Sequence, residues 1–191
     1  MDFSAPNFLK AAMGAFPPDR LVSATGAARL LLPFVDTNYR QQSVKVIVRG
    51  KTIHIPKRVY FIGLSEAKLG EELARLPTVQ CLRTRSTDGY ERQDSLRHIL
   101  TLNEPWSIPF VVLLAGEYVV EIIEGILASM PMLNSGASIE FFQENRGMMR
   151  LLRSKATSYW DCYYRTSHPN RSAYPGIAFL HQLEIWASYA R

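Results

Sequence analysis

The chain has 191 residues, of which 47% are hydrophobic and 20% charged, and its formal net charge at pH 7 is +5. This length suffices for one globular domain with a core, and 11 glycines with 11 prolines exclude a low-complexity chain. Two cysteines, Cys81 and Cys162, are too few for a disulfide framework, and neither lies in a CxxC motif. We therefore expect a cytoplasmic protein with reduced thiols.

The N-terminal third predicts two short helices, at 7–15 and 19–32, followed by a β-hairpin at 44–55. Valines at positions 44, 46 and 48 alternate with other residues, Gly50-Lys51 supplies a turn, and isoleucines at 53 and 55 resume the alternation. Pro56 then indicates a short or edge strand, because proline cannot donate a ladder hydrogen bond.

From residue 65 onward the periodicity is helical, with turn-forming residues around 134–136 and 169–172. Pro175 is well placed to open a final helix. The predicted helices span 65–76, 77–86, 90–102, 108–128, 138–165 and 176–190.

One turn resembles a known family. The run Asp88-Gly89-Tyr90-Glu91-Arg92 precedes aliphatic and small residues at 95, 96, 99 and 100, and it is similar to the turn and second helix of a HEAT-type repeat. In that family an aspartate in the turn and a following arginine fix the turn. The resemblance covers residues 77–128, with a new hairpin beginning at 105, and no second Asp–Arg pair follows. It implies a helical interaction scaffold more often than an enzyme.

These patterns together predict a mainly α fold. It consists of helical hairpins, either HEAT-like or an irregular bundle, with a small N-terminal β-hairpin. We expect a single domain over residues 1–191, in which 1–63 hold the N-terminal helices and hairpin and 64–191 the helical part.

Two stripes of opposite charge face each other if the helices at 108–128 and 138–165 fold back about residue 135. Each stripe repeats at i, i+4 and i+7, so its members share one helix face. The antiparallel pairs are Glu117–Arg153, Glu121–Arg150 and Glu124–Arg146. The sequence therefore predicts an ion-pair ladder along this hairpin.

The sequence gives less support to two other functions of these stripes, metal binding and phosphate binding. The carboxylates lack the Glu-x-x-His spacing of di-iron bundles, because no histidine lies between His98 and His168. The arginines could bind phosphates, but a neutralising acidic stripe would leave them little free charge. We therefore predict no metal and no cofactor, and rank nucleic-acid binding third. Three glutamates between 108 and 127 also argue against membrane insertion.

The same periodicity predicts part of the core. Gly116 should lie where another backbone approaches closely, because a glycine inside a helix costs roughly 1 kcal/mol relative to alanine. One face of the 138–165 helix should be mostly buried. That face comprises Phe142, Met149, Leu152, Ala156, Tyr159 and Tyr163.

We find no catalytic signature of the GxSxG, GxGxxG, P-loop or HExxH type, so catalytic residues remain unassigned. A hydrolase using Cys162 with His168 or His181 is an alternative, because a nucleophile and its base meet in space and not in sequence. The aromatic neighbours of Cys162 favour a packed thiol instead.

The segment 163–175 combines aromatic residues, arginines and turn formers, which are typical of binding loops and interfaces. We therefore expect a non-enzymatic protein that binds another protein, such as a small regulator or a neutralising partner of an effector. The residues expected to bind the partner are Tyr164, Arg165, His168, Arg171 and Tyr174.

Overall fold

A computed structural model describes residues 4–36, 42–102, 104–133 and 135–189. Within these ranges it contains twelve α-helices and a two-stranded antiparallel sheet, so the predicted class, mainly α with a small N-terminal β-hairpin, is confirmed. Contacts divide the chain into two compact units, Met1–Ile99 and Leu100–Arg191. The expected single domain over residues 1–191, with its parts 1–63 and 64–191, stays a prediction.

The first unit surrounds the hairpin with helices. Pro18–Arg20 forms a short 3₁₀ turn before α2, and Gly70, at φ 81°, divides the helix predicted at 65–76 into two. The elements are α1 (Ser4–Gly14), α2 (Leu21–Leu31), β1 (Ser43–Val48), β2 (Lys51–Pro56), α3 (Glu66–Leu69), α4 (Glu71–Ala74), α5 (Pro77–Arg83) and α6 (Gly89–Ile99).

The hairpin forms in the predicted register. Val46 pairs with Ile53 and Val44 with Ile55, and alternate positions bury their side chains against α1. The turn residues are Arg49 and Gly50, one position earlier than expected, and both have positive φ, as a type I′ hairpin turn requires.

The loop after β2, residues 56–62, bonds to three distant segments. The Val59 amide donates to the Arg85 carbonyl, and the Val59 carbonyl accepts from the Thr87 amide. The Tyr60 carbonyl accepts from the Asp36 amide, and the Lys57 amide donates to the Gln42 carbonyl. Residues 57–62 therefore join residues 34–36, residue 42 and residues 85–87 within this unit.

In the turn between α5 and α6, an aspartate and an arginine side chain both make hydrogen bonds to the nearby backbone. Asp88 Oδ1 accepts from the Tyr90 amide at 2.9 Å, and the buried Arg92 donates from Nη1 to the carbonyls of Ser86 and Thr87. The two helices pack against each other. One helix pair does not by itself show a repeat, so the HEAT-like character stays a prediction.

The second unit is built around its last helix. α12 packs against α8, α10 and α11 and buries Phe179, Leu180 and Leu183. The elements are α7 (Ile108–Leu114), α8 (Val120–Ala128), α9 (Met130–Leu133), α10 (Gly136–Glu144), α11 (Arg146–Tyr159), a π-helical turn (Trp160–Tyr164), a 3₁₀ turn (Arg171–Ala173) and α12 (Pro175–Tyr189).

The predicted ion-pair ladder is wrong. All six of its side chains are described, and no glutamate of the set lies within 4.0 Å of an arginine of the set. The prediction assumed two continuous helices, but a loop at 115–119 interrupts the first and Asn145 the second. Arg153 pairs instead with Glu184 of α12, and Glu117 lies buried in the 115–119 loop.

The core prediction for the 138–165 segment is confirmed in its middle. Met149, Leu152 and Ala156 are buried, and Phe142 is half-buried. Tyr163, in contrast, is 69% exposed. A π-helical turn takes one residue more per hydrogen-bonded turn than an α-helix, so counting 100° per residue through 160–164 assigns Tyr163 to the wrong face.

Gly116 does make a close contact, but it lies in a loop and not inside a helix. A Cβ on Gly116 would lie 2.5 Å from Leu152 Cδ2 and 3.6 Å from Leu152 Cα. The approaching group is therefore mainly a side chain.

None of the helices in the described ranges has the length and apolar character needed to cross a membrane. Two predicted positions, Asn134 in the turn near 135 and Ala190 at the end of the last helix, lie outside the described residues.

Candidate functional site

Four tyrosines form a continuous cluster where the 115–119 loop meets the end of α11. The Tyr118 ring lies 6.2 Å from Tyr159, which lies 6.4 Å from Tyr163, which lies 6.5 Å from Tyr164. Tyr118 is 55% exposed and Tyr163 is 69% exposed. We call Tyr118, Tyr159, Tyr163 and Tyr164, with the nearby Glu121 and Glu124, the tyrosine surface.

Tyr164 fixes this surface to the fold. Its hydroxyl donates to the Tyr118 carbonyl at 2.5 Å, across 46 residues of sequence. Its ring stacks on the ring of Tyr174 at a centroid distance of 5.4 Å. These two contacts hold Tyr164 half-buried, so it supports the exposed rings of Tyr118 and Tyr163.

Two carboxylates lie beside the tyrosines. Burial is the main cause that raises the pKa of Tyr164, a hydrogen bond with the Val120 backbone lowers it, and the charges of Glu121 and Glu124 raise it further. Both glutamates are exposed on α8, and neither makes an ion pair with a described residue. The tyrosine surface is therefore aromatic with an acidic edge.

Three of the predicted partner-binding residues, Tyr164, His168 and Tyr174, contact one another. The His168 ring makes edge contacts with Tyr164 and Tyr174, at centroid distances of 6.3 and 5.7 Å. The His168 carbonyl accepts from Trp160 Nε1 at 2.8 Å. His168 therefore packs behind the tyrosine surface.

Arg165 and Arg171, two further predicted partner-binding residues, differ in their contacts. Arg165 pairs with Asp161 at 3.1 Å, and its guanidinium lies 5.2 Å from the centre of the Trp160 ring. Arg171 makes no ion pair with any described residue. Both arginines are exposed, and their role in partner binding stays a prediction.

The expectation that Tyr174 belongs to the free surface is wrong. Its relative exposure is 0%, because the rings of Tyr164 and His168 cover it. Burial, together with smaller contributions from Tyr164 and Tyr159, raises the pKa of Tyr174 to about 12. Its hydroxyl has no hydrogen-bond partner among the described residues.

Cys162 lacks the partner that a nucleophile needs. The thiol is exposed, and no hydrogen bond joins it to His168 or His181, both of which are described. His168 Nδ1 lies 3.1 Å from Ser167 Oγ, and His181 Nδ1 lies 3.9 Å from Glu184. The arrangement therefore gives the hydrolase alternative no activated thiol.

A second group of polar side chains lies in the first unit. Glu66, Asp94 and His98 bring potential metal-ligand atoms within 4.8 Å of one another. The buried Arg83 lies 3.5 Å from the Glu66 carboxylate and 3.8 Å from Asp94. This guanidinium already compensates the carboxylates, so we derive no metal site from them.

Sequence reasoning missed Tyr118 and misplaced Tyr163. Tyr118 lies within the helix predicted at 108–128 and gives no local sign that it contacts a residue 46 positions later. The π-helical turn that exposes Tyr163 has no marker in the sequence. The run of tyrosines at 159, 163 and 164 was the available signal, but the helical period assigned two of them to the core.

Searches against protein-family models, curated proteins and solved structures returned no significant match for this chain.

Proposed function

We propose that this chain is a non-enzymatic protein that binds another protein through the tyrosine surface. The observation that carries the proposal is the exposure of Tyr118 and Tyr163 side by side with half-buried Tyr159 and Tyr164. Tyrosine is enriched at the energetic centres of interfaces, where a ring contributes contact area at low entropic cost.

The edge of the surface indicates the chemistry of the partner. Glu121 and Glu124 are exposed and carry negative charge beside rings whose faces attract cations. A partner segment with arginine or lysine next to apolar side chains satisfies both features. In this proposal the chain is a small regulator or a neutralising partner of an effector, and the exposed Arg165 and Arg171 are further partner contacts.

Two free thiols, Cys81 and Cys162, support a cytoplasmic location as part of this proposal. The structure offers no activated thiol to support the hydrolase.

The test compares two variants of the full chain. Tyr118→Ala with Tyr163→Ala removes two exposed rings, while the Tyr118 carbonyl that accepts from Tyr164 is retained. Tyr90→Ala removes a still more exposed ring, 85% accessible, from α6 in the other unit. Each variant is immobilised, a partner is captured from native lysate, and the binding of the purified partner is then measured.

We expect the double variant to lose about 2 kcal/mol or more of binding free energy, because truncation at an interface centre costs that much. The Tyr90→Ala variant should bind as the parent does. Glu121→Gln with Glu124→Gln should slow association and reduce its salt dependence. Equal affinity of the parent and the double tyrosine variant for the captured partner would remove the tyrosine surface from consideration.

A further inference from the structure

A groove of about 370 Å³ lies in the second unit, between α10, α11 and α12. Arginines form one side of it, at i, i+4 and i+7 on α11: Arg146, Arg150 and Arg153. The buried side chains of Met149 and Leu180 contribute an apolar part to its lining. The volume falls within the range of small-molecule sites in proteins, about 300–1,000 Å³.

The positive charge of the groove is only partly compensated. Glu184, the one carboxylate among the lining residues, pairs with Arg153 at 2.7 Å. Arg146 and Arg150 are exposed and make no ion pair with a described residue. Because the ladder with Glu117, Glu121 and Glu124 does not form, two guanidinium groups are available to a ligand.

We infer that this groove binds a small ligand that carries a phosphate or carboxylate group attached to a compact apolar body. Arg146 and Arg150 bind the anionic group, since guanidinium groups make strong charge-assisted hydrogen bonds to such oxygens. Met149 and Leu180 contact the apolar body. Two free arginines match one anionic group better than the row of phosphates that a nucleic acid presents. The groove shares no residue with the tyrosine surface, so this inference is independent of the proposed function.

The experiment titrates the full chain with phenyl phosphate and, separately, with inorganic phosphate, and measures the dissociation constants by calorimetry. Phenyl phosphate should bind about tenfold more tightly, because its ring buries apolar area against Met149 and Leu180. Arg150→Gln should weaken phenyl phosphate binding by about tenfold through loss of a charge-assisted hydrogen bond. Raising the ionic strength should weaken binding by the parent chain.

Lys155→Gln is the matched control. Lys155 is an exposed cation on the same helix, and its position, five residues after Arg150, places it on another face. The variant loses the same charge and should bind phenyl phosphate as the parent does. If Arg150→Gln does not fold, Arg146→Gln takes its place.

Four results would overturn the inference. The first is no measurable binding of either probe at millimolar concentration, and the second is equal binding of both. The third is an equal loss of affinity in Arg150→Gln and Lys155→Gln. The fourth is a single-stranded oligonucleotide that competes with phenyl phosphate and binds more tightly, which would assign the groove to nucleic acid.

Discussion

Leu152 occupies the space that a side chain on Gly116 would need: a Cβ there would lie 2.5 Å from Leu152 Cδ2. This contact brings the 115–119 loop against α11, and Leu152 is itself buried. The φ of Gly116 is not positive, so its backbone accepts alanine and only the packing resists it.

Gly116→Ala should therefore lower the free energy of unfolding by about 1–3 kcal/mol, the usual cost of overpacking a core. Urea unfolding measures the change. Adding Leu152→Ala should make the cost of the glycine substitution smaller, since the two residues contact each other. Gly26→Ala is the control: no atom lies within 4 Å of its Cβ position inside α2, and it should stabilise by up to about 1 kcal/mol. A neutral Gly116→Ala would show that the close contact is not maintained in solution.

Arg92 links α6 to the turn before it, and replacing it should cost more than replacing an exposed arginine. Arg92→Ala removes two hydrogen bonds from a buried guanidinium to backbone carbonyls, so we expect a loss of about 3 kcal/mol or more. Arg97→Ala, on the exposed side of the same helix, should change stability by less than about 0.5 kcal/mol. Similar midpoints for the two variants in urea would contradict the role given to Arg92.

Tyr174→Phe should stabilise the protein. The hydroxyl of Tyr174 is buried with no hydrogen-bond partner among the described residues, so removing it relieves a desolvation penalty of about 1 kcal/mol. Tyr164→Phe is the contrast, because that hydroxyl donates to the Tyr118 carbonyl and its loss should destabilise. Thermal unfolding of both variants and the parent shows whether each substitution raises or lowers the stability. Destabilisation by both would mean that the Tyr174 hydroxyl has a partner in solution.

Tyr174 should also make the stability of the folded chain depend on pH. Burial raises the pKa of Tyr174 to about 12, above about 10 in the unfolded chain, so the folded state retains the proton longer. The stabilisation that this difference in pKa gives the folded state is fully present below pH 10 and is lost as the pH rises from 10 through 12. Stability measured across this range should fall less steeply in Tyr174→Phe than in the parent. Identical slopes would show that Tyr174 titrates normally.

The two thiols should react at different rates. Cys162 is exposed, whereas Cys81 is 0% exposed and burial raises its pKa well above the usual value. Because the thiolate is the reactive form, a disulfide reagent should modify one thiol rapidly in the native chain and both in denaturant. Cys162→Ser should abolish the rapid phase. Rapid native modification of Cys81 in that variant would mean that the first unit opens readily.

The hairpin illustrates what the sequence could predict. Alternating valines and isoleucines with a glycine between them encode strands whose partners lie within a few residues, so local pattern and structure agree. The last helix, predicted at 176–190 and found as Pro175–Tyr189, also has a clear start signal in its proline. These elements depend little on distant contacts.

The second unit shows why the rest could not be predicted. Helical periodicity continues on both sides of the 115–119 loop and of Asn145, so the breaks leave no mark in the pattern. Each break changes the direction and the position of the charged side chains that follow it. Arg153 therefore forms an ion pair with Glu184 instead of Glu117. The sequence predicts the segment around Tyr164 as part of the candidate site. It does not predict the contact between Tyr164 and Tyr118, because that contact depends on tertiary packing.

The loop at 56–62 has a consequence for how the first unit assembles. Both backbone groups of Val59 bond to residues 85 and 87, so they lack their partners until the chain has been synthesised well beyond the hairpin. Arg85 also donates to the carbonyls of Pro56 and Lys57. A nascent chain that ends before residue 85 can therefore pair the two strands and pack them on α1, but it lacks the hydrogen bonds that Pro56, Lys57 and Val59 make to residues 85 and 87. The segment after the second strand reaches its final hydrogen bonding only when the α5–α6 turn has been made.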